Sequence, residues 1–286
     1  MQTTTSINDT RSAVAAYRRE GKTIGFVPTM GALHVGHTAL IEAARGRCGV
    51  VVVSIFINPM QFGAGEDYAG YPRTPETDLE ACRECGVDLL FAPTRDIMYP
   101  PDATTTVHVA GLTDGLCGAH RPGHFDGVAT VVAKLLNIVM PDLAFFGEKD
   151  YQQLKVIERL VRNLDMPIEI VSCPTVREED GLAVSSRNAY LSPIEREQAV
   201  SLSRSMRRAA DAVANGTRDA RALIELMEQH IKAAGPAEID YIDIVDPETL
   251  EPVQTVRGSV RICMAVRIGP CRLIDTIAVD AVGADG

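Results

Sequence analysis

The stretch Thr23-Ile-Gly-Phe-Val-Pro-Thr-Met-Gly-Ala-Leu-His-Val-Gly-His37 decides the fold. An apolar strand-like segment passes through a glycine-bearing loop into a helix start, which is the architecture of a phosphate site. Gly31 and Gly36 would let backbone N–H groups approach a ligand, and a helix beginning near Gly36 would offer its unpaired amides and positive end to an anion. His34 and His37, three apart across that start, can point the same way and donate to phosphate oxygens as charge moves onto them. Read alone, one of the two could equally be a helix cap. Neither the P-loop pattern nor the G-x-G-x-x-G dinucleotide pattern occurs, so this loop is the candidate triphosphate site near the amino end.

Outward from this stretch, short apolar runs alternate with helical patterns. Strands are expected at 23–27, 50–57, 88–91, 142–146 and 168–171, and helices at 8–19, 36–45, 74–85, 125–139 and 151–163. Most of the strand runs are too continuously apolar for a one-sided sheet, which predicts a parallel sheet covered on both faces and crossed over right-handedly. Ligands of such sheets bind beyond the carboxyl ends of the strands, so the loops after Val27, Ile57 and Phe146 hold the candidate chemistry. After about Pro174 the texture changes. Ser192-Pro193-Ile194-Glu195 is a capping-box start, a second amphipathic helix runs to Gly235-Pro236, and strands follow at 239–245, 260–268 and 272–279. Two domains are expected, 1–174 and a smaller α+β domain over 175–286.

Composition excludes several classes. The 286 residues are 46% hydrophobic and 23% charged, the usage of a globular protein rather than of a disordered or collagenous one. The charge of -10 argues against nucleic-acid binding. No apolar run is long enough to span a bilayer, and the polar start Met1-Gln-Thr-Thr-Thr5 has no signal-peptide character. A cytoplasmic protein with no membrane partner is expected. Seven cysteines, scattered and odd in number, read as reduced thiols. Cys82 and Cys85 form a lone C-x-x-C inside a helical pattern and read as buried thiols. Cys117, His120 and His124, with His108 a distant fourth, leave a zinc site as an alternative.

Three further segments carry chemistry. Phe146-Gly-Glu-Lys-Asp-Tyr-Gln-Gln153 is again a strand, a glycine and a helix start. Lys149 in its first turn would oppose the helix dipole, which hints at an anion or a ribose that holds it, while Asp150 could equally be a plain N-cap. Gln153, one turn in, can donate to a carboxylate without adding charge. Asn58-Pro59-Met60-Gln61-Phe62-Gly63 places a second neutral amide beside apolar side chains, and two such amides suit a small hydroxy acid with methyl groups. In Val176-Arg-Glu-Glu-Asp-Gly-Leu-Ala-Val-Ser-Ser-Arg-Asn188, two hydroxyls and a guanidinium on a glycine-hinged loop can close over β- and γ-phosphates, with Arg187 stabilising a departing pyrophosphate.

PTMGALHVGH, NPMQFG, FFGEKDYQQL and VREEDGLAVSSRN stand in this order over nearly the whole chain. The sequence resembles the pantothenate synthetase (pantoate–β-alanine ligase) family of the HIGH-motif nucleotidyltransferase superfamily. The resemblance implies a Rossmann-like amino domain, a smaller carboxyl lid domain and a homodimer. It implies ATP, with Mg²⁺, as a substrate contacted by Met30, Gly31, Ala32, Leu33, His34, Val35, Gly36 and His37. Gly147, Glu148, Lys149, Asp150, Val176, Val184, Ser185, Ser186 and Arg187 would complete that site, and His34, His37, Lys149 and Arg187 would be catalytic. Gln61 and Gln153 would bind pantoate, with Gln61 also near β-alanine; no metal-binding residue is implied. Val184 stands where the family often has Met, and Val35 where it often has a polar residue. The implied reaction is attack of pantoate on the α-phosphorus of ATP, followed by displacement of AMP from pantoyl adenylate by β-alanine. The nearest rival is a nucleotidyltransferase acting on a phosphate ester, and the two neutral amides favour a carboxylate acceptor over it.

Overall fold

The computed structural model describes residues 1–63 and 65–281. The described chain forms two compact units. The first holds Met1–Ala110, Arg121–Glu148 and Gln153–Pro174, and the second Gly111–His120, Lys149–Gln152 and the chain from Thr175 onward.

The first unit is built on six parallel strands: β1 (Gln2–Thr4), β2 (Ile24–Thr29), β3 (Val50–Ile55), β4 (Leu89–Phe91), β5 (Leu143–Gly147) and β6 (Glu169–Cys173). Their order is β1-β4-β3-β2-β5-β6. The helices α1 (Ile7–Arg19), α2 (Val35–Arg47), α3 (Pro75–Glu84), α4 (Arg95–Met98), α6 (His124–Val139) and α7 (Tyr151–Asn163) accompany them; α5 (Leu116–His120) and the first two residues of α7 belong to the second unit. The five expected strands and five expected helices form within two residues of their expected ends. Ile24, Phe26 and Val27 of β2 and Val51, Val52 and Val53 of β3 are fully buried, which is the two-faced burial their unbroken apolar runs require. Val27, Val51, Val53, Leu90 and Phe145 pack with Ile41 and Ala44 of α2 and Cys82 of α3. By strand alternation Phe26 and Val52 face the opposite side, where α1 and α6 lie together. Burial pushes the Cys82 thiol up to about 12, Asp78 and Cys85 adding to the shift, so the C-x-x-C is a packing feature rather than a reactive pair. Seven free cysteines are present, as the reduced-thiol reading requires.

β2 is the strand from which the chain first moves outward to β3 and later returns on the opposite side as β5. This is the order of a doubly wound Rossmann-like sheet, and β2 and β5 flank its topological switch point.

In the second unit, α8 (Pro193–Ala214) and α9 (Ala220–Ala234) cover an antiparallel sheet β7-β8-β9 (Glu238–Val245, Gly258–Ile268, Cys271–Ala281). The capping box of α8 is formed as read: Glu195 accepts the Ser192 N–H at 2.8 Å. Leu202, Met206, Leu223, Met227, Ile231, Ile262 and Met264 make the core. Among the described residues no helix is long and apolar enough to cross a membrane.

Candidate active site

The loop after β2 turns on two consecutive left-handed residues, Gly31 (φ 82°) and Ala32 (φ 50°). Such a pair points successive N–H groups into one concavity, a ready anion site. That concavity is already filled. Asp78 of α3, buried, accepts the N–H of Ala32 at 3.0 Å and of Leu33 at 2.8 Å, and takes the Thr74 hydroxyl at 3.1 Å. The Gly31 N–H donates to Thr29 Oγ1 at 3.2 Å. The expectation that these amides approach a ligand is therefore corrected at Gly31, Ala32 and Leu33: the loop spends them on its own rigidity.

The loop delivers the start of α2, whose N-cap is His34. His34 Nδ1 accepts the Gly36 N–H at 3.1 Å, and His37 Nδ1 accepts the His34 N–H at 3.3 Å. The two rings stack with centroids 4.0 Å apart, so both histidines do face one way, and the cap is part of the arrangement rather than its competitor. A nitrogen that accepts an N–H carries no proton, so each neutral ring bears its hydrogen on Nε2. Gly36 is required by close approach, because a Cβ there would come within 2.9 Å of the His34 ring. Its N–H, expected to meet a ligand, is the one that His34 takes. Val35, where the family often has a polar residue, is 57% exposed.

Met30, the first loop residue, is joined to the second expected element. Gln61 Nε2 donates to Met30 Sδ at 3.0 Å, and Gln61 Oε1 accepts from Asn58 Nδ2 at 3.0 Å. Asn58 is held in turn by the Tyr99 hydroxyl at 2.9 Å and by the carbonyl of Gly127 at 3.0 Å. Burial lifts the Tyr99 phenol to about 12, so it donates at any physiological pH. α6 meets the Pro59–Gln61 turn backbone to backbone: a Cβ on Gly127 would lie 2.3 Å from the Met60 carbonyl oxygen. The Gln61 carbonyl accepts from Arg121 Nη2 at 3.1 Å and His124 Nδ1 at 2.8 Å. Arg121 also pairs with Glu66 through Nε and Nη2 at 2.7 and 2.5 Å. Burial alone would raise the Glu66 carboxyl, but its hydrogen bonds and charge pairing with Arg121 hold it below its ordinary value.

Gly147 ends β5 beside the switch point, and no described residue other than its chain neighbours comes within 4 Å of the place a Cβ would take there. Glu148–Asp150 is a 3₁₀ turn before α7 rather than the first turn of that helix, which corrects the expected placement of Lys149 and Asp150. In the second unit Lys149 Nζ is 4.0 Å from Asp150 Oδ2. The helical first turn falls instead to Tyr151, Gln152 and Gln153. Gln152 is consumed structurally, bonding Leu112 O, Gly115 O and the Cys117 N–H at 2.9, 2.9 and 3.0 Å. Gln153, in the first unit, is half-buried and its amide bonds to no described residue.

The segment from Val176 to Asn188 is a pinned hairpin. Val184 N–H donates to Val176 O at 3.0 Å and Arg177 bridges Ala183, which brings the candidates Val176 and Val184 together. Ser185 caps a 3₁₀ turn over Ser186–Tyr190 by accepting the Arg187 N–H at 3.3 Å.

The zinc alternative dissolves into three separate jobs. Cys117 Sγ accepts from Arg272 at 3.7 Å, His120 packs its ring by Tyr241, and His124 holds Gln61. Among the described residues no group of three or more His, Cys, Asp or Glu is placed to hold a metal. Sequence reasoning missed Asp78, Asn58, Tyr99, Arg121, His124 and Arg177 as site supports. For His124 a signal is present in the Cys117–His124 loop, where its spacing suits a zinc alternative, while Arg121 carries no such signal.

A doubly wound sheet with a histidine-capped helix start at its switch point, and with the loop before that helix joined to a buried amide on the neighbouring strand's loop, defines an α/β protein whose candidate chemistry lies at the carboxyl ends of β2, β3 and β5. Comparisons with known proteins sharpen this. The family model for pantoate-beta-alanine ligase matches residues 2–278. A pantothenate synthetase of Geobacillus kaustophilus is 54% identical over 264 residues, 92% of this chain and 88% of the relative. One from Aquifex aeolicus is 54% identical over 273 residues, covering 94% and 95%. The crystal structure of pantothenate synthetase from Thermus thermophilus superposes with a TM-score of 0.92 at 47% identity, covering 97% and 99% of the two chains. The pantoate-beta-alanine ligase of Francisella tularensis, complexed with beta-gamma ATP and beta-alanine, gives 0.82 at 36% identity, covering 97% of each. The chain belongs to the pantoate–β-alanine ligase family.

Proposed function

We propose that the protein condenses (R)-pantoate with β-alanine to pantothenate, converting ATP to AMP and pyrophosphate through pantoyl adenylate. Full-length family membership supports the substrates. The observation that carries the chemistry is the stacked His34–His37 pair, whose capping bonds put the ring protons on Nε2. As pantoate attacks the α-phosphorus, negative charge grows on its non-bridging oxygens, and imidazole N–H donors at a helix amino terminus stabilise that charge most where it is largest.

Gln61 is fixed through both amide atoms and its carbonyl, so it presents a preset geometry to the pantoate carboxylate and then to β-alanine. Gln153, with no bond to a described residue, supplies the second pantoate contact. ATP is assigned to Met30–His37, with Gly147 and Glu148 of the first unit and Lys149, Asp150, Val176, Val184, Ser185, Ser186 and Arg187 of the second. Lys149 and Arg187 carry the departing pyrophosphate in this reading. Mg²⁺ enters in this reading as part of the Mg–ATP substrate, held mostly by phosphate oxygens. Cytoplasmic location and a homodimer belong to the same proposal, and sedimentation at micromolar concentration tests the dimer.

The decisive experiment supplies only Mg–ATP and pantoate. Labelled pyrophosphate should enter ATP without β-alanine. Products of ADP and phosphate, or an absence of exchange, would remove the adenylate.

A further inference from the structure

One guanidinium ties the Val176–Asn188 hairpin to β9. Arg177 donates from Nη1 to Asp275 Oδ2 at 2.7 Å and from Nη2 to Asp275 Oδ1 at 2.8 Å, a bidentate fork. The same Nη1 reaches the Gly181 carbonyl at the hairpin tip, 3.1 Å away, and the same Nη2 reaches the Thr276 carbonyl at 3.2 Å. The Asp275 side chain is 3% exposed, and its Oδ1 also accepts the Thr276 N–H at 2.7 Å.

Further pins act on the same segment. Arg196 of α8 holds Glu178 at 2.5 Å and Asp180 at 2.8 Å. Gly181 (φ 99°) sits so close to α8 that a Cβ would lie 2.8 Å from Arg207 Nη2. From β9 the Cys271 thiol donates to the Arg187 carbonyl at 3.2 Å. A surface hairpin does not need a buried ion pair to fold, and burying two charges brings a desolvation cost that apolar packing would avoid. What the fork adds is geometry: it fixes Arg177, and through the Arg177–Ala183 bridge it fixes the strand that continues into Val184 and Ser185.

We propose that Arg177 is a positioning residue for ATP, acting through Asp275 to set the register at which Val184, Ser185, Ser186 and Arg187 meet the triphosphate. This rests on the reading of those four residues as ATP contacts. Arg177→Lys keeps the charge and loses the fork; Asp275→Asn keeps the shape and loses the charge. Each is read by thermal melting, by pyrophosphate–ATP exchange with pantoate at varied ATP, and by conversion of pre-formed pantoyl adenylate with β-alanine.

The expected result for Arg177→Lys is a KM for ATP raised on the order of tenfold, because small misplacements of a positioned group are costly. Conversion of the pre-formed adenylate should stay within about twofold of the parent, since that half-reaction does not use the triphosphate. A folded variant whose ATP KM is unchanged, or which loses both half-reactions equally, overturns the proposal. If Arg177→Lys does not fold, Asp275→Asn must show the same split. If neither folds, the pair is a folding support and the proposal fails. Arg187→Ala separates the two levels: an unchanged ATP KM there removes the ATP reading of the segment and the positioning role with it. A raised ATP KM in Arg187→Ala alone, with both fork variants normal, removes only the positioning role.

Discussion

Asp78 Oδ1 lies 2.8 Å from the backbone nitrogen of Leu33, so a carboxylate on α3 occupies the anion nest of the loop that follows β2. The nest of this loop is filled by the protein itself, which fixes the loop without a ligand. Asp78→Asn offers one acceptor oxygen where two N–H groups need two. It should cost about 1 to 3 kcal/mol in urea unfolding, the penalty of one buried unsatisfied donor, and raise the KM for ATP. Wild-type stability with an altered KM would show that the carboxylate does not brace the loop.

His37→Ala should reduce turnover by on the order of 10²-fold or more, as loss of a transition-state donor does, while lowering stability by only ~1 kcal/mol for the lost capping acceptor. Steady-state kinetics beside thermal melts read both. A folded variant with near-normal turnover would put the phosphate assignment in error.

The adjacent glutamines should behave oppositely. Gln153→Ala should leave the melting temperature unchanged and weaken pantoate by about 1.5 to 3 kcal/mol, the worth of a hydrogen bond to a charged group, with ATP little affected. Gln152→Ala removes three internal bonds and should lower stability. Isothermal titration with each substrate and a melt of each variant give the four values. Equal losses of pantoate and ATP in Gln153→Ala would contradict the division of the site.

Acid should loosen the support beneath Gln61. The Glu66 carboxyl is depressed in the fold, so its pairing with Arg121 contributes fully above its ordinary value of 4.5 and is lost as pH falls through its lower folded value. Melting temperature followed downward from neutral pH should drop through that window, and Glu66→Gln should flatten that part of the curve. A variant with the parent's acid profile would place the acid-labile group elsewhere.

The sheet was legible because Val50 to Val53 and Leu143 to Phe146 are apolar without interruption, and only a strand covered on both faces tolerates that. β1 was not legible: Gln2, Thr3 and Thr4 carry no apolar alternation, and pairing with β4 recruits them through backbone bonds. Within the site, the glycine and histidine pattern of residues 30–37 announced itself, yet its amides are turned inward. An acid in the first turn of a helix reads the same whether it caps its own helix or reaches another loop, so Asp78 could not be singled out. Arg121 and His124 act on the carbonyl of Gln61, a main-chain contact across some sixty positions that no side-chain spacing encodes.

The contact between Gly127 and Met60 has a consequence for retargeting the enzyme. Where two backbones touch, the separation cannot be widened or narrowed by exchanging side chains around them. The depth at which Gln61 sits is therefore inherited with the fold, and variants selected for other acid acceptors will arise at side chains beside it while residue 127 stays glycine. With Gln61 in its proposed role, substrate range in this scaffold is adjustable in shape but anchored in depth.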